Sequence, residues 1–181
     1  MRPLIAAFLI ALAVIVLSMP RAHAAEIPQN MRHDLDLLPV TETQLVCLAL
    51  NVYHEARSEP YEGRLAVAQV VLNRVKDRRF PDNICDVVQE NRLGNRRHTC
   101  QFSWHCDGAS DTPRNQSAWR RSIQIAKVAL RGVRDRTNGA LWYHARYVQP
   151  SWALGLAQTT TVGTHLFYVD INPDDVAVAS R

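Results

Sequence analysis

The feature that most constrains the fold is an apolar stretch in the first half of the chain. Residues 65–72 read Leu-Ala-Val-Ala-Gln-Val-Val-Leu, with Gln69 as the polar exception. A helix that is apolar on most of its faces belongs in the centre of a domain, with other elements packed around it. Pro60 and Gly63 bracket a turn just before this stretch. We therefore predict a buried central helix that begins after this turn.

A further helix is predicted just before the turn, over residues 42–57. Its start is marked by Thr41-Glu42-Thr43-Gln44, which fits the Ser/Thr-x-x-Glu/Gln capping box. Apolar residues then follow at the spacing that places them on one helix face. These residues are Leu45, Leu48, Ala49 and Val52.

Glu55 continues this apolar face. Burial beside apolar side chains disfavours the ionised carboxylate, so the pKa of Glu55 should be raised. A carboxyl group that stays protonated near neutral pH is able to act as a general acid. A structural glutamate, paired with an arginine such as Arg57 or Arg74, fits the same spacing equally well.

The rest of the chain predicts an α+β fold, mainly helical with a small late β-sheet. Residues 84–89 suit a short helical turn, and residues 117–131 form a helix that ends at Gly132. Between them, residues 91–112 are polar and irregular, and loops of this length in a compact domain are usually functional. Short strands are predicted at residues 140–143 and 164–169, after an Asn138-Gly139 turn.

The first residues have the pattern of an export signal. Residues 4–19 contain no charged side chain and precede Arg21 and Ala22-His23-Ala24. This pattern predicts a secretory signal peptide over residues 1–24, cleaved after Ala24. A retained membrane anchor is the alternative, although the apolar run is shorter than the roughly 20 residues that span a bilayer. Either way, the rest of the chain is expected to work in the periplasm or outside the cell.

The region after the signal peptide predicts one domain. Residues 25–40 contain two prolines and no clear period, which favours a linker. The domain is then expected over residues 41–172, with residues 173–181 as a C-terminal tail. This length suits one hydrophobic core rather than two.

The charge pattern argues against nucleic acid as the partner. The formal net charge is +4, but Arg2 and Arg21 lie in the predicted signal peptide and leave with it. The remaining arginines form short pairs rather than the dense basic stripe of a nucleic-acid-binding surface. A mildly basic surface suits an anionic polymer. Membrane contact is expected only if the signal segment is retained.

The cysteines predict two disulfides. Cys47, Cys85, Cys100 and Cys106 form an even set in an exported domain, and their three possible pairings stay open. A zinc site is the alternative, because His98 and His105 lie beside two of the cysteines. The gap between these two cysteines is wider than the usual C-x2–4-C spacing, so disulfides are favoured.

Other motifs exclude several enzyme classes. His54-Glu55 begins like the zinc motif H-E-x-x-H, but Ser58 stands where the second histidine is required. The chain also lacks the G-x-S-x-G motif of serine hydrolases and the Walker motif of nucleotide-binding proteins. No metal and no cofactor are therefore expected.

The order of motifs resembles the SleB-like cell-wall hydrolases, the family that includes spore-cortex-lytic enzymes. The resemblance covers residues 45–169, and Ser58 departs from it because the family usually has glycine there. The matching motifs are Tyr53-His54-Glu55-Ala56-Arg57-Ser58-Glu59-Pro60, Gly63, Ala66-Val67-Ala68, Val71-Leu72-Asn73-Arg74-Val75, Phe80-Pro81, Cys100-Gln101-Phe102-Ser103, Asp107-Gly108, Gly139-Ala140-Leu141-Trp142-Tyr143, Trp152 and Gly163-Thr164-His165-Leu166-Phe167-Tyr168.

The resemblance implies a lysozyme-like lytic transglycosylase domain with Glu55 as the catalytic acid. The implied substrate is the peptidoglycan glycan strand, cut between N-acetylmuramic acid and N-acetylglucosamine. A groove for sugars needs aromatic faces and hydrogen-bonding groups, and each aromatic residue could instead pack in the core. The predicted substrate-binding residues are Gln101, Phe102, Ser103, Trp104, Trp142 and Tyr143.

Two other functions stay open at this point. One is an N-acetylmuramoyl-L-alanine amidase, many of which use zinc, and the other is a non-catalytic wall-binding domain. Ordinary glycoside hydrolysis uses two carboxylates, yet only Glu55 lies on a core-facing stripe. Glu59 and Glu62 are expected to be solvated near the Pro60 turn, and Asp107 is expected to be a turn residue. A single acid favours a transglycosylase that forms 1,6-anhydro ends.

Overall fold

The computed structural model describes residues 25–91, 94 and 99–171. The predicted signal peptide, residues 172–181 and therefore the predicted C-terminal tail lie outside this range. The helices are α1 (Glu42–Ala56), α2 (Tyr61–Lys76), α3 (Ile84–Val88) and α4 (Gln116–Leu130), and the strands are β1 (Trp142–Ala145), β2 (Leu156–Val162) and β3 (His165–Asp170). Short 3-10 turns lie at Gln29–Met31, Leu35–Leu37, Ser103–Cys106 and Ser151–Gly155. The predicted α+β class, mainly helical with a late sheet, is confirmed.

Helix α1 begins and packs as its sequence predicts. The Thr41 hydroxyl accepts a hydrogen bond from the Gln44 backbone N–H at 3.3 Å, which caps the first turn. Leu45, Leu48 and Val52 are fully buried. Their face contacts α2, α3 and α4. This packing fixes the direction in which the end of α1 points, and Glu55 lies at that end.

Helix α2 is the buried centre predicted from its apolar sequence. Val67, Val70 and Val71 have no exposed surface. Gln69 is also buried, and its amide donates to the Arg134 carbonyl at 2.9 Å, while its oxygen accepts from the Arg136 N–H. The polar exception in the apolar stretch therefore ties α2 to the loop that leads into the sheet.

The three strands form an antiparallel sheet in the order β1-β3-β2. Strand β1 begins two residues later than predicted, at Trp142, and the buried residues Ala140 and Leu141 lead into it. Asn138 and Gly139 both have positive φ, which confirms the predicted turn. Strand β2 was not predicted, because it is an edge strand whose Gln-Thr-Thr-Thr centre carries no apolar alternation.

The segment 25–40, expected to be a linker, instead packs against α4. Ile27 and Met31 are buried in the core. The Trp119 indole N–H donates to the Glu26 carbonyl at 2.8 Å. The buried Lys127 ammonium forms an ion pair with Asp34. The prediction failed because these contacts are scattered along the segment and produce no period.

The structure resolves the disulfide pairing that the sequence left open. Cys47 of α1 is bonded to Cys85 of α3, with Cα atoms 5.3 Å apart. Cys100 is bonded to Cys106 across a short loop, with Cα atoms 6.0 Å apart. The two predicted disulfides are therefore confirmed.

Within the described part of the chain, no single helix is long and apolar enough to cross a membrane. One bent pair, Gln29–Leu37 with Glu42–Ala56, meets the requirements of length and composition together.

Candidate active site

Glu55 lies in the last turn of α1, where strand β1 approaches the helix. Its side chain is half-buried. The Tyr143 hydroxyl of β1 donates a hydrogen bond to Glu55 Oε2 at 3.2 Å. The helix and the sheet therefore meet at this carboxyl group.

Burial controls the ionisation of Glu55. The loss of solvent raises the pKa of Glu55 above its ordinary value, against the Tyr143 hydrogen bond and the positive charge of Arg74, which both lower it. Burial also raises the pKa of Tyr143, and the neighbouring Glu55 charge adds to this effect. Tyr143 is therefore a neutral donor, and Glu55 has the raised pKa that its sequence position predicts.

Arg74 supplies a positive charge beside the site. It is 2% exposed, and its Nε donates to the Leu141 carbonyl at 2.8 Å. The guanidinium carbon lies 5.1 Å from the Phe80 ring centre and 5.2 Å from that of Phe102. These contacts fix the guanidinium between two aromatic faces.

A cavity of roughly 480 Å³ opens beside this group. Three of the six predicted substrate-binding residues line it, namely Gln101, Trp142 and Tyr143. Ser103 is exposed in the Ser103–Cys106 turn and is not among the lining residues. The cavity is also lined by Arg74, Trp152 and Leu156.

Phe102 and Trp104 do not fit the predicted role of exposed sugar platforms. Phe102 is 3% exposed and packs against Arg74, while Trp104 is 8% exposed. The Trp104 indole N–H donates to Asn51 Oδ1 at 3.2 Å, and its ring stacks on His54 with centres 4.4 Å apart. Both residues anchor the Cys100–Cys106 loop to the core.

Trp152 was not among the predicted site residues, although it belongs to the motifs that carry the resemblance. It lines the cavity and is 43% exposed. Its ring meets His144 and Tyr168 edge-on, at 5.5 and 5.9 Å between centres. Trp152 is therefore an aromatic residue that both lines the cavity and keeps nearly half of its surface open.

The other carboxylates near α1 and the loop have different surroundings. Asp107 is an exposed turn residue, as predicted, and its Oδ1 accepts the Ala109 N–H at 2.6 Å. Glu62 is exposed, as predicted. Glu59 contradicts the prediction that it is solvated, because it is 8% exposed and its carboxylate accepts two hydrogen bonds from Thr164.

Asn73 of α2 has a structural role. Its amide donates to Asp135 Oδ2, the Thr137 hydroxyl and the Ala140 carbonyl, at 3.1 to 3.2 Å. It ties α2 to the turn before β1. Among residues 25–91, 94 and 99–171, no group of three or more His, Cys, Asp or Glu side chains is placed to hold a metal ion.

The chain belongs to the cell wall hydrolase family, whose model matches residues 58–168. Glu55 lies just before the matched segment. The spore cortex-lytic enzyme of Halalkalibacterium halodurans is 32% identical to this chain over 70% of its length. The spore cortex-lytic enzyme of Bacillus subtilis is 33% identical over 66% of this chain. In both cases the match spans 35% of the relative, so the chain corresponds to about a third of their length.

Two solved structures share the fold. One is the catalytic domain of the germination-specific lytic transglycosylase SleB from Bacillus anthracis, with a TM-score of 0.58 and 30% identity over 72% of this chain and 98% of that domain. The other is the catalytic domain of the Bacillus cereus SleB protein, with a TM-score of 0.52 and 29% identity over 70% of this chain and 91% of that domain. The expected family and fold are confirmed.

Proposed function

We propose that this chain is an exported enzyme that cleaves peptidoglycan glycan strands as a lytic transglycosylase, with Glu55 as general acid and base. The observation that carries the proposal is the half-buried Glu55 carboxyl group, which has a raised pKa and accepts a hydrogen bond from Tyr143, a residue that lines the cavity. Membership of the cell wall hydrolase family supports the substrate. The match to a lytic transglycosylase domain supports the reaction type.

In the first step, protonated Glu55 donates its proton to the glycosidic oxygen, and the bond to the anomeric carbon of N-acetylmuramic acid breaks. The N-acetylglucosamine side leaves as an alcohol, and the 2-acetamido group of the muramic residue stabilises the developing cation. Glu55 is now a carboxylate. The Tyr143 hydroxyl and the Arg74 charge both favour this anionic state, so they stabilise the product of proton transfer.

In the second step, the 6-hydroxyl of the same muramic residue attacks its anomeric carbon while Glu55 removes the hydroxyl proton. A 1,6-anhydro ring closes, Glu55 is protonated again, and no water is consumed. A hydrolase would instead need a second carboxylate about 5–5.5 Å from the acid for retention or 6.5–9.5 Å for inversion. Glu59 accepts hydrogen bonds at both oxygens, and Asp107 is held in a turn, which favours the ring closure.

The test is product analysis of purified peptidoglycan after digestion. We expect fragments that end in 1,6-anhydro-muramic acid, each lighter by one water than a hydrolysis product. Glu55→Gln should lower the rate by about 10²–10⁴ because glutamine cannot deliver a proton. Glu62→Gln is the matched control, since it makes the same change at an exposed carboxylate of α2. Reducing ends, heavier by one water than the anhydro ends, would identify a hydrolase. A folded Glu55→Gln variant with wild-type activity would refute the assignment of Glu55 as the catalytic acid.

The same digest separates the two other functions. Release of peptides with intact glycan would indicate an N-acetylmuramoyl-L-alanine amidase. Retention on the wall with no released fragments would indicate a binding domain.

Export is tested by the mass of the protein recovered outside the cytoplasm. Cleavage after Ala24 should leave Ala25 as the first residue. Full-length protein in the membrane fraction would indicate a retained anchor.

A further inference from the structure

Glu59 is a buried carboxylate with no role in the proposed chemistry. It follows the end of α1, one helical turn beyond Glu55. Its Oε2 accepts the Thr164 backbone N–H at 2.9 Å, and its Oε1 accepts the Thr164 hydroxyl at 2.5 Å. Thr164 lies in the turn between β2 and β3. One side chain therefore connects the end of α1 to the hairpin.

Two glycines make room for this carboxylate. Gly163 has a φ of +60°, and a methyl group there would overlap Glu59 Oε2. A methyl group at Gly63 would lie 2.9 Å from the same oxygen. The turn and the start of α2 are therefore shaped around the carboxylate.

Glu59 is held in its ionised form. Burial alone would raise its pKa, but the two Thr164 hydrogen bonds, with the positive charge of Arg146, outweigh this, and the pKa of Glu59 is lowered. A carboxylate with a lowered pKa and both oxygens engaged is a poor proton donor. Its position fits a structural link better than a second catalytic acid.

This link continues to Glu55. His165 follows Thr164 and begins β3, with Nδ1 3.9 Å from Glu59 Oε2. The His165 ring meets the Tyr143 ring edge-on, with centres 5.3 Å apart. Tyr143 lies on β1, which pairs with β3, and its hydroxyl donates to Glu55. The contacts thus lead from Glu59, just after the end of α1, back to Glu55 in the last turn of that helix.

We propose that Glu59 is a positioning residue that fixes the hairpin turn, and through it Tyr143, against the Glu55 carboxyl group. The inference rests on the proposed role of Glu55. The link sets the distance between the last turn of α1 and β1, so loosening it should disturb proton transfer more than substrate binding.

The test compares Thr164→Val with Thr164→Ser, which leave every charge unchanged. Valine removes the hydroxyl donor to Glu59, while serine keeps it. On soluble glycan oligomers, we expect Thr164→Val to lower kcat about tenfold, since sub-ångström misplacement of a catalytic group is costly. KM should stay unchanged, and Thr164→Ser should retain wild-type kcat.

The pH profile adds a readout that a merely structural role would not move. The hydrogen bond from Tyr143 lowers the pKa of Glu55, so a variant in which this hydrogen bond is longer or less often formed should have a higher Glu55 pKa. Activity requires protonated Glu55, so the alkaline limb of the kcat profile should move to higher pH in Thr164→Val. The charged or titratable groups that face Glu55 are Tyr143 and Arg74. Those that face Glu59 are His165 and Arg146.

Glu59→Gln provides a second variant of the same shape if Thr164→Val folds poorly. Its kcat should also fall, and the double variant should lose less than the two single losses combined, because both act through one contact. Asp34→Asn is the stability control, since it lies on the remote N-terminal segment and should lower stability without changing kcat.

Wild-type kcat and pH profile in folded Thr164→Val and Glu59→Gln would overturn the inference while leaving Glu55 in its role. Full activity of Glu55→Gln would instead overturn the proposed function.

Discussion

Removing each disulfide separately should affect two different properties of the protein. Cys47 and Cys85 are 38 residues apart, and Cys100 and Cys106 are 6 apart. From loop-closure entropy alone, the first bond stabilises the fold by about 4 kcal/mol and the second by about 2 kcal/mol. The variants to compare are C47A/C85A and C100A/C106A.

The smaller stability loss should accompany the larger loss of activity. The Cys100–Cys106 loop carries Gln101, which lines the cavity, and Phe102, which packs on Arg74. Opening the loop loosens one wall of the cavity, whereas the Cys47–Cys85 bond joins α1 and α3 away from it.

Urea unfolding and glycan-cleavage assays on both variants measure these effects. With an m-value of about 2 kcal/mol/M, the urea midpoint should fall by about 2 M in C47A/C85A and about 1 M in C100A/C106A. Activity of the folded C100A/C106A variant should fall severalfold, while that of C47A/C85A stays near wild type. Equal stability losses, or an unchanged activity in C100A/C106A, would refute the reasoning.

Four further predictions follow from charges and contacts. Tyr143→Phe removes a bond that lowers the pKa of Glu55, so the alkaline limb of the pH–rate profile should move to higher pH; an unmoved limb would contradict this. Because the pKa of Glu55 is raised in the folded state, the free energy of unfolding of the wild type falls as pH rises from the unfolded-state pKa of Glu55 to its folded-state pKa. Glutamine does not titrate, so denaturation curves should show the stability of Glu55→Gln rising relative to wild type over that range; a stability difference that does not change with pH would argue against burial as the cause. Asp34→Asn leaves the buried Lys127 without its carboxylate and should cost about 3 kcal/mol of unfolding free energy; a loss below 1 kcal/mol would show that segment 25–40 contributes little. The proposed steps use no metal, so EDTA should leave the cleavage rate unchanged, whereas inactivation reversed by zinc would favour the amidase.

The helices could be predicted because their signals are local. The Thr41 cap, the spacing of Leu45 and Val52, and the apolar α2 sequence each act within a few residues. Strand β2 offered no such signal, since its Gln-Thr-Thr-Thr centre contains no apolar side chain. Its existence depends on pairing with β3.

The site was predictable only in part, because several contacts join distant residues. Glu55 followed from helical spacing, but the partner that buries Glu59 lies 105 residues away. The aromatic residues of the loop looked alike in sequence. Trp104 packs inward on His54, and Phe102 packs inward on Arg74. Neither contact could be predicted from the sequence spacing.

The docked N-terminal segment sets an order of events for maturation. Ile27 is inserted in the core and Trp119 holds the Glu26 carbonyl, so almost no free chain lies between the predicted cleavage point and the folded body. If the signal peptide is cleaved after Ala24, we expect cleavage to precede the docking of this segment on α4, because a peptidase needs an extended substrate. A leader that stayed in the bilayer would instead hold the folded body close to the membrane surface, because Ile27 is already part of the core.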